Sequence, residues 1–340
     1  MNNNRLLELD ALRGLAALSV VFYHYLYRYN DIYGHESLPV YRASFGKFGV
    51  ELFFMVSGFV IFWTLNRVKR PLDFIVSRFS RLYPVYWLSV FITFMAIFFW
   101  GLPGREVSVL EALANVLMFH EYFNIPHVDG VYWTLTIELT FYFWMFSFYL
   151  ISKLDRVETI FSMVVIASVL NSLEIINTPN IIYKIFIMKH MSFFLAGISF
   201  YKIVNNQGNI KVSVVALLIS LFSTLVIYSI ESFYVFIGFY TVFYMALTGK
   251  IKALSYKPLV YLGGISYSLY LLHQNIGYII INKFYELLWN PILGVLVAIA
   301  ITIILAILSR QYVELPLLNK IRKSYNNSNI YQKMAGKLTE

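Results

Sequence analysis

Apolar runs of 17–24 residues recur along the whole chain, and that recurrence limits its fold more than any other feature. A helix of that length matches the ~30 Å hydrocarbon core of a bilayer. In lipid every backbone N–H and C=O must find a partner within the protein, so only helices and closed barrels span it. A barrel would show segments of about ten residues with alternating polarity, and this sequence lacks them. Composition agrees, with 59% hydrophobic and 13% charged residues, where a soluble domain carries about 25% charge. These values exclude a soluble enzyme, a disordered chain, a collagen and a coiled coil. The expected class is an all-α, polytopic integral membrane bundle.

Ten spans are expected, at roughly 9–27, 48–65, 83–101, 131–151, 157–175, 181–201, 211–230, 233–248, 259–281 and 288–309. The segment 107–120 is shorter, holds Glu111, and reads as an amphipathic or re-entrant helix within a loop. There is no internal repeat and no low-complexity tract. The expected layout is a single transmembrane domain over 1–319 and a polar cytoplasmic tail over 320–340. Asp10 and Arg13 interrupt the entry to the first run and no A-x-A site follows it, so no cleaved signal is expected.

Sidedness follows from the cations. With the N-terminus inside, 19 of the 27 lysines and arginines fall on inner segments and 5 on outer ones. Arg5, Lys202, Lys333 and Lys337 count as inner, Arg105 and Lys283 as outer. The bias places both termini in the cytoplasm of a multi-pass protein of the plasma membrane, the inner membrane in a bacterium. The net charge of +9 therefore reports topology rather than a nucleic-acid partner. The chain has no cysteine, which removes disulfides, thiolate metal sites and a cysteine nucleophile.

Ionisable groups inside spans are costly, and each is a candidate functional group. Arg13 and His24 lie 11 residues apart on the first span, about 20° from a common stripe on a regular helix. Asp10 is placed to pair with Arg13. A structural ion pair and a satisfied core histidine are the plainer alternatives. Depth along the spans puts His24, Ser57, Glu138 and His273, on four helices, in one slab from the middle to the outer half of the bilayer. Two histidines and a glutamate can supply a general base and its partner. No H-x-x-E or H-E-x-x-H spacing is present, so no metal is expected. In the inner loop 66–86, Arg78 and Arg81 are i,i+3 on a helix expected to run to Pro84 and project together. Such a pair suits phosphates, and acidic lipid headgroups are the competing ligand.

LDALRGLAALSVVFYH, FFMVSGFVIF, SRFSRLYPVYW, WTLTIELTFY, ISYSLYLLHQ and VELP stand in that order from Leu9 to Pro316. In these six blocks the chain resembles the acyltransferase-3 family of membrane O-acyltransferases. Ala11 stands where that family often has glycine. The chain resembles the stand-alone form, without an appended SGNH-type domain. The resemblance implies transfer of an acyl group, commonly acetyl, from cytoplasmic acyl-CoA to a hydroxyl of an extracytoplasmic or lipid-linked carbohydrate. It implies that His24 is the essential histidine and Arg13 its partner arginine. It implies that Arg78 and Arg81 hold the donor, and that Glu138 is the glutamate of the block opened by Trp133. His273 matches a less constant position.

On that reading, acyl-CoA is a substrate and no cofactor stays bound. Its phosphates meet Arg78 and Arg81, helped by Arg13, while His24 acts as general base. Glu138 orients His24 or holds the acceptor. A backbone amide or the Ser57 hydroxyl faces the oxyanion. A covalent acyl-histidine stays open, as do the acceptor, the acyl length and the oligomeric state. Tyr122, Phe123 and Tyr132, in or next to the mouth loops 28–47 and 102–130, suit sugar stacking or an aromatic belt equally. The competing class is a proton-coupled transporter or flippase, which the intramembrane charges would also serve. A membrane scaffold is a third option.

Overall fold

The computed structural model describes residues 7–35, 41–287 and 290–328. Arg5, Lys333 and Lys337, the first two residues of the tenth expected span and the tail from 329 onward lie outside them. The regular structure of the described residues is all helical, joined by turns and loops, and includes no strand. In chain order the helices are α1 (Leu7–Phe22), α2 (Tyr29–Tyr33), α3 (Gly49–Leu65), α4 (Pro71–Trp100), α5 (Val109–Asn115), α6 (Trp133–Leu150), α7 (Val157–Ser172) and α8 (Asn180–Ile185). They continue with α9 (Met191–Val204), α10 (Ile210–Ile227), α11 (Ile230–Leu247), α12 (Lys257–Leu272), α13 (Gln274–Glu286), α14 (Pro291–Ser309) and α15 (Leu315–Asn326). Among the described residues five stretches are long and apolar enough to cross a membrane: Ala43–Leu65, Pro71–Trp100, Ile210–Ile227, Ile230–Leu247 and Pro291–Asn326.

Two expected spans are divided. The span at 181–201 becomes α8 and α9, because Ile187 takes a positive φ of 44° and ends the helical path. The Trp144 indole N–H donates to the Ile185 carbonyl at 2.8 Å, satisfying an acceptor freed at that end. The span at 259–281 becomes α12 and α13, which meet at His273. There the imidazole inserts among the backbone carbonyls of its own preceding turn, a recognised cause of bends. The expected helix at 107–120 is shorter, as α5. Ser108 and Glu111 form a capping box at its start, so Glu111 is a capping group rather than an intramembrane charge. Leu110 and Leu113 stand exposed on this helix.

The chain divides into two compact units. The first comprises residues 1–16, 48–67 and 137–264. Its centre is the crossing of α3 and α9, where a Cβ on Gly58 would collide with the Phe194 carbonyl and one on Gly197 with the Met55 carbonyl. Glycine at both positions lets the backbones touch, the small-residue packing of membrane helices. α10 packs on α7, α9 and α11. Within this unit Lys202 is buried and pairs with Glu158 at 2.7 Å. It is therefore a buried ion-pair partner and not a surface cation reporting sidedness.

The second unit comprises residues 17–47, 68–136 and 265–340. α13 packs on α14 and α4, and α15 packs on α4. α4 is continuous over 30 residues despite Pro84, about 45 Å at 1.5 Å per residue. It exceeds a bilayer core and carries Arg78 and Arg81 on its first turns. Between α1 and α2 the helix widens into a π-helical stretch, Tyr23–Arg28. Regular α geometry ends at Phe22, so the stripe from Arg13 toward His24 is regular only that far. π-Bulges often mark functional sites, and this one carries His24.

Candidate active site

His24 and His273, 249 positions apart, form a pair within the second unit. The His273 Nδ1 lies 2.8 Å from the Tyr270 carbonyl and 3.2 Å from that of Leu269. A carbonyl only accepts, so Nδ1 carries the proton and Nε2 of the neutral ring presents a lone pair. The His24 Nδ1 lies 2.9 Å from that Nε2 and 3.0 Å from the Val20 carbonyl. Both are acceptors, so His24 is also protonated on Nδ1, and its Nε2 holds the free lone pair. His273 is fully buried, whereas His24 is half-buried. One histidine is thus locked in the core and fixes the tautomer of a second that is only half-buried.

The pair is held from both sides. The Tyr25 hydroxyl donates to the His273 carbonyl at 2.7 Å, tying the wide turn to the α12–α13 bend. The Tyr25 ring occupies the space that a Cβ on Gly277 would need, so only glycine fits there. From the loop before α6, the Asp129 carboxylate accepts the Asn275 N–H at 3.0 Å and the Val131 N–H at 3.2 Å. The Asn275 side chain donates to the Val128 carbonyl at 2.9 Å. The loop thereby docks on the first turn of α13, beside His273. The Arg105 guanidinium lies 6.0 Å from the centre of the Tyr278 ring and acts electrostatically on both His24 and Asp129. Arg105 and Asp129 carried no signal in the sequence, because a loop arginine near an outer mouth is ordinary.

Burial pushes the Asp129 carboxyl from 3.8 up to about 7, against the pull of its two N–H donors and Arg105. The folded chain therefore holds this proton to higher pH than the unfolded chain does. Stability is expected to fall as pH rises from about 4 to about 7 and to level off above that. Melting temperatures of the detergent-purified protein across this range check it. Asp129→Asn should flatten this contribution, and an unchanged slope in that variant refutes it.

The other expected site residues fall into separate groups. In the first unit the Ser57 hydroxyl donates to Glu138 Oε1 at 2.9 Å, and the Tyr142 hydroxyl donates to the same oxygen. The Ser57 proton is committed to that carboxylate. Asp10 and Arg13 lie half-buried on α1. Trp133 is the first residue of α6. Ser57 and Glu138, which depth alone had grouped, are in direct contact.

In the second unit Arg78 and Arg81 sit on consecutive turns of α4, as their spacing predicts. A third guanidinium joins them from α15. Arg322 donates to the Ser77 hydroxyl at 3.2 Å and to the Ser80 hydroxyl at 3.4 Å, and Arg81 acts on it electrostatically. Arg78 also donates to Ser77, at 3.1 Å. Tyr325 of the same helix donates to Asp73 at 2.9 Å, which fixes α15 against the start of α4. Like charges gathered on neutral hydroxyls suit a polyanion. Sequence counting had placed Arg322 among the ordinary inner cations.

The acyltransferase domain family matches residues 6–310, nearly all of the chain. The chain belongs to the acyltransferase-3 family. The O-acetyltransferase OatA of Staphylococcus aureus is 24% identical over 366 aligned residues, covering 93% of this chain and 58% of OatA. Nodulation protein 10 of Rhizobium leguminosarum bv. viciae is 28% identical over 39% of the chain and 41% of its own length. A putative acetyltransferase of Acidianus two-tailed virus is 28% identical over 40% of the chain and 38% of its own length. The chain thus spans less than two thirds of each of these relatives. No solved structure matches it. Membership, the apolar helices and a family relative named as an O-acetyltransferase make this acyltransferase-3 chain a membrane protein.

Proposed function

We propose that the protein is a membrane O-acyltransferase that moves an acyl group, acetyl in the simplest case, from acyl-CoA to a hydroxyl of a carbohydrate. The observation that carries this reading is the free Nε2 lone pair of His24, held in one tautomer by the buried His273. His24 Nε2 takes the acceptor's hydroxyl proton as that oxygen attacks the thioester carbonyl. The tetrahedral intermediate then expels CoA as its thiolate, which takes the proton back from His24 and leaves as the thiol. A positioned base of this kind contributes about 10²–10⁴-fold. Arg78, Arg81 and Arg322 bind the phosphates of the donor. Arg13 and Glu138 enter through the family's pattern alone, Arg13 as the partner arginine and Glu138 as the glutamate of the block opened by Trp133. The topology in this proposal is ten spans of the plasma membrane with both termini cytoplasmic.

The test is transfer of label from [14C]acetyl-CoA by the purified protein in lipid nanodiscs, with the cell-envelope glycan of the host as acceptor. Base-labile label on the glycan and release of free CoA are expected. A carrier would consume no acyl-CoA, and that outcome defeats the proposal. The donor end has its own expected result. Arg322→Gln should raise the KM for acyl-CoA about tenfold, equivalent to ~1.4 kcal/mol, and Arg78→Ala with Arg81→Ala should raise it further. Unchanged KM values would reassign the cluster to lipid headgroups or topology.

A further inference from the structure

A cavity of about 660 Å3 opens in the second unit, lined in part by Tyr29, Tyr33, Trp100, Asn282, Tyr285 and Glu106. Its size lies within the ~300–1,000 Å3 of small-molecule sites. We propose that this cavity is the acceptor site and that it takes an uncharged pyranose ring of a glycan. The inference rests on the acyl-transfer reading above and adds the place and chemistry of its second substrate.

The lining sets aromatic faces beside planar polar groups. Sugars present both surfaces: C–H faces that pack on rings, and paired hydroxyls that bridge an amide or a carboxylate. Tyrosine and tryptophan suit such a mixed ligand because each combines an apolar face with a polar edge. The rings are fixed in advance. His35 lies with Nε2 2.7 Å from the Tyr25 carbonyl, so that nitrogen donates. Its Nδ1 then accepts from the Tyr285 hydroxyl at 2.8 Å. Tyr29 and Tyr285 stack at an interplanar angle of 11°. The Tyr29 hydroxyl donates to Asn282 Oδ1 at 2.5 Å, which leaves the amide N–H2 of Asn282 for a ligand oxygen.

Charge argues against an anion here. Lys283, the lining lysine, pairs with Glu286 at 2.6 Å, and the Glu106 carboxylate stands exposed. This is the reverse of the arginine cluster on α4 and α15, so the two sites sort a neutral ring from a phosphorylated donor. The cavity also lies near the base. The Tyr29 and Tyr33 rings lie 5.6 and 5.9 Å from that of Tyr278, which lies 6.5 Å from His24. One ring therefore separates the cavity wall from the base. Of the aromatics expected at the mouth, Tyr132 is instead fully buried against Tyr86 and serves the core.

The experiment varies the concentration of host envelope glycan at saturating [14C]acetyl-CoA in nanodiscs. Trp100 is 59% exposed, so its replacement leaves the core intact. Trp100→Ala is expected to raise the glycan KM at least tenfold, with Trp100→Phe recovering most of the loss. Asn282→Asp keeps the acceptor for Tyr29 but removes the N–H2 donors, and a similar rise is expected. The acyl-CoA KM should move less than twofold in each variant. A glycan KM unchanged in both Trp100→Ala and Asn282→Asp overturns the assignment. So does label recovered only in phospholipid, or acyl-CoA consumed by the wild type without labelled glycan. A wild type that consumes no acyl-CoA brings down the acyl-transfer reading itself, which separates the two failures.

Discussion

His24→Ala is expected to lower kcat for acyl transfer by about 10²–10⁴-fold while the variant purifies and melts like the wild type. The two halves of this expectation have separate origins. His24 is half-buried on a π-helical turn, and its Nδ1 bonds reach Val20 and His273. Removing the ring opens no large cavity, so the penalty on folding is small. The penalty on chemistry is large because no other described group offers a lone pair held by the same bonds. His24→Gln sharpens the test: the amide fills the volume and still donates, but it accepts no proton at neutral pH. Both variants are assayed by label transfer from [14C]acetyl-CoA at saturating substrates, with melting followed by intrinsic fluorescence. If either turns over at the wild-type rate, His24 is not the base.

The fold class was legible because it depends on a sum. Long apolar runs with few charges leave a helical bundle as the economical solution in lipid, and the Arg78–Arg81 spacing places both on one helix. His24, His273, Ser57 and Glu138 were also legible, since a polar group in an apolar run stands out. Their pairing was not. Common depth put all four in one slab, and the structure resolves His24–His273 as one contact and Ser57–Glu138 as another. Which nitrogen meets which oxygen depends on ångström-scale atom positions, and spacing carries none of that. Arg322 and Lys202 show the same limit for charge. By position both looked like inner-face cations, yet one reaches the hydroxyls beside Arg78 and Arg81 while the other is buried on Glu158. The acceptor cavity was hidden for a further reason. Its walls come from α2, α13, the end of α4 and the loops beside them, and the three helices carry tyrosines or a tryptophan that an aromatic belt would also explain.

His273→Asn and His273→Gln are expected to separate the two jobs of the buried ring. Its Nδ1–H satisfies the carbonyls of Tyr270 and Leu269 at the α12–α13 bend, and its Nε2 accepts from His24. Asparagine has a donor near the first position and no atom at the second. His273→Asn should therefore stay folded but lose about 10–100-fold in kcat, the cost typical of removing a partner that orients a metal-ligating histidine. Glutamine extends to the second position, where its carbonyl oxygen can accept from His24, so His273→Gln should recover much of that rate. A leucine removes the donor to the Tyr270 carbonyl, at about 1–3 kcal/mol, while the Leu269 carbonyl keeps the backbone N–H of residue 273 at 3.1 Å, and it should lower the melting temperature as well as kcat. The KM for acyl-CoA should stay within twofold in the asparagine and glutamine variants, because His273 touches no part of the donor site. The decisive comparison is the cycle with His24. If His273 acts through His24, then in a His24→Ala background His273→Asn should change kcat no further, since coupled residues are not additive. An additional loss in the double variant would mean that His273 supports the fold or the substrate independently, and its positioning role would be withdrawn.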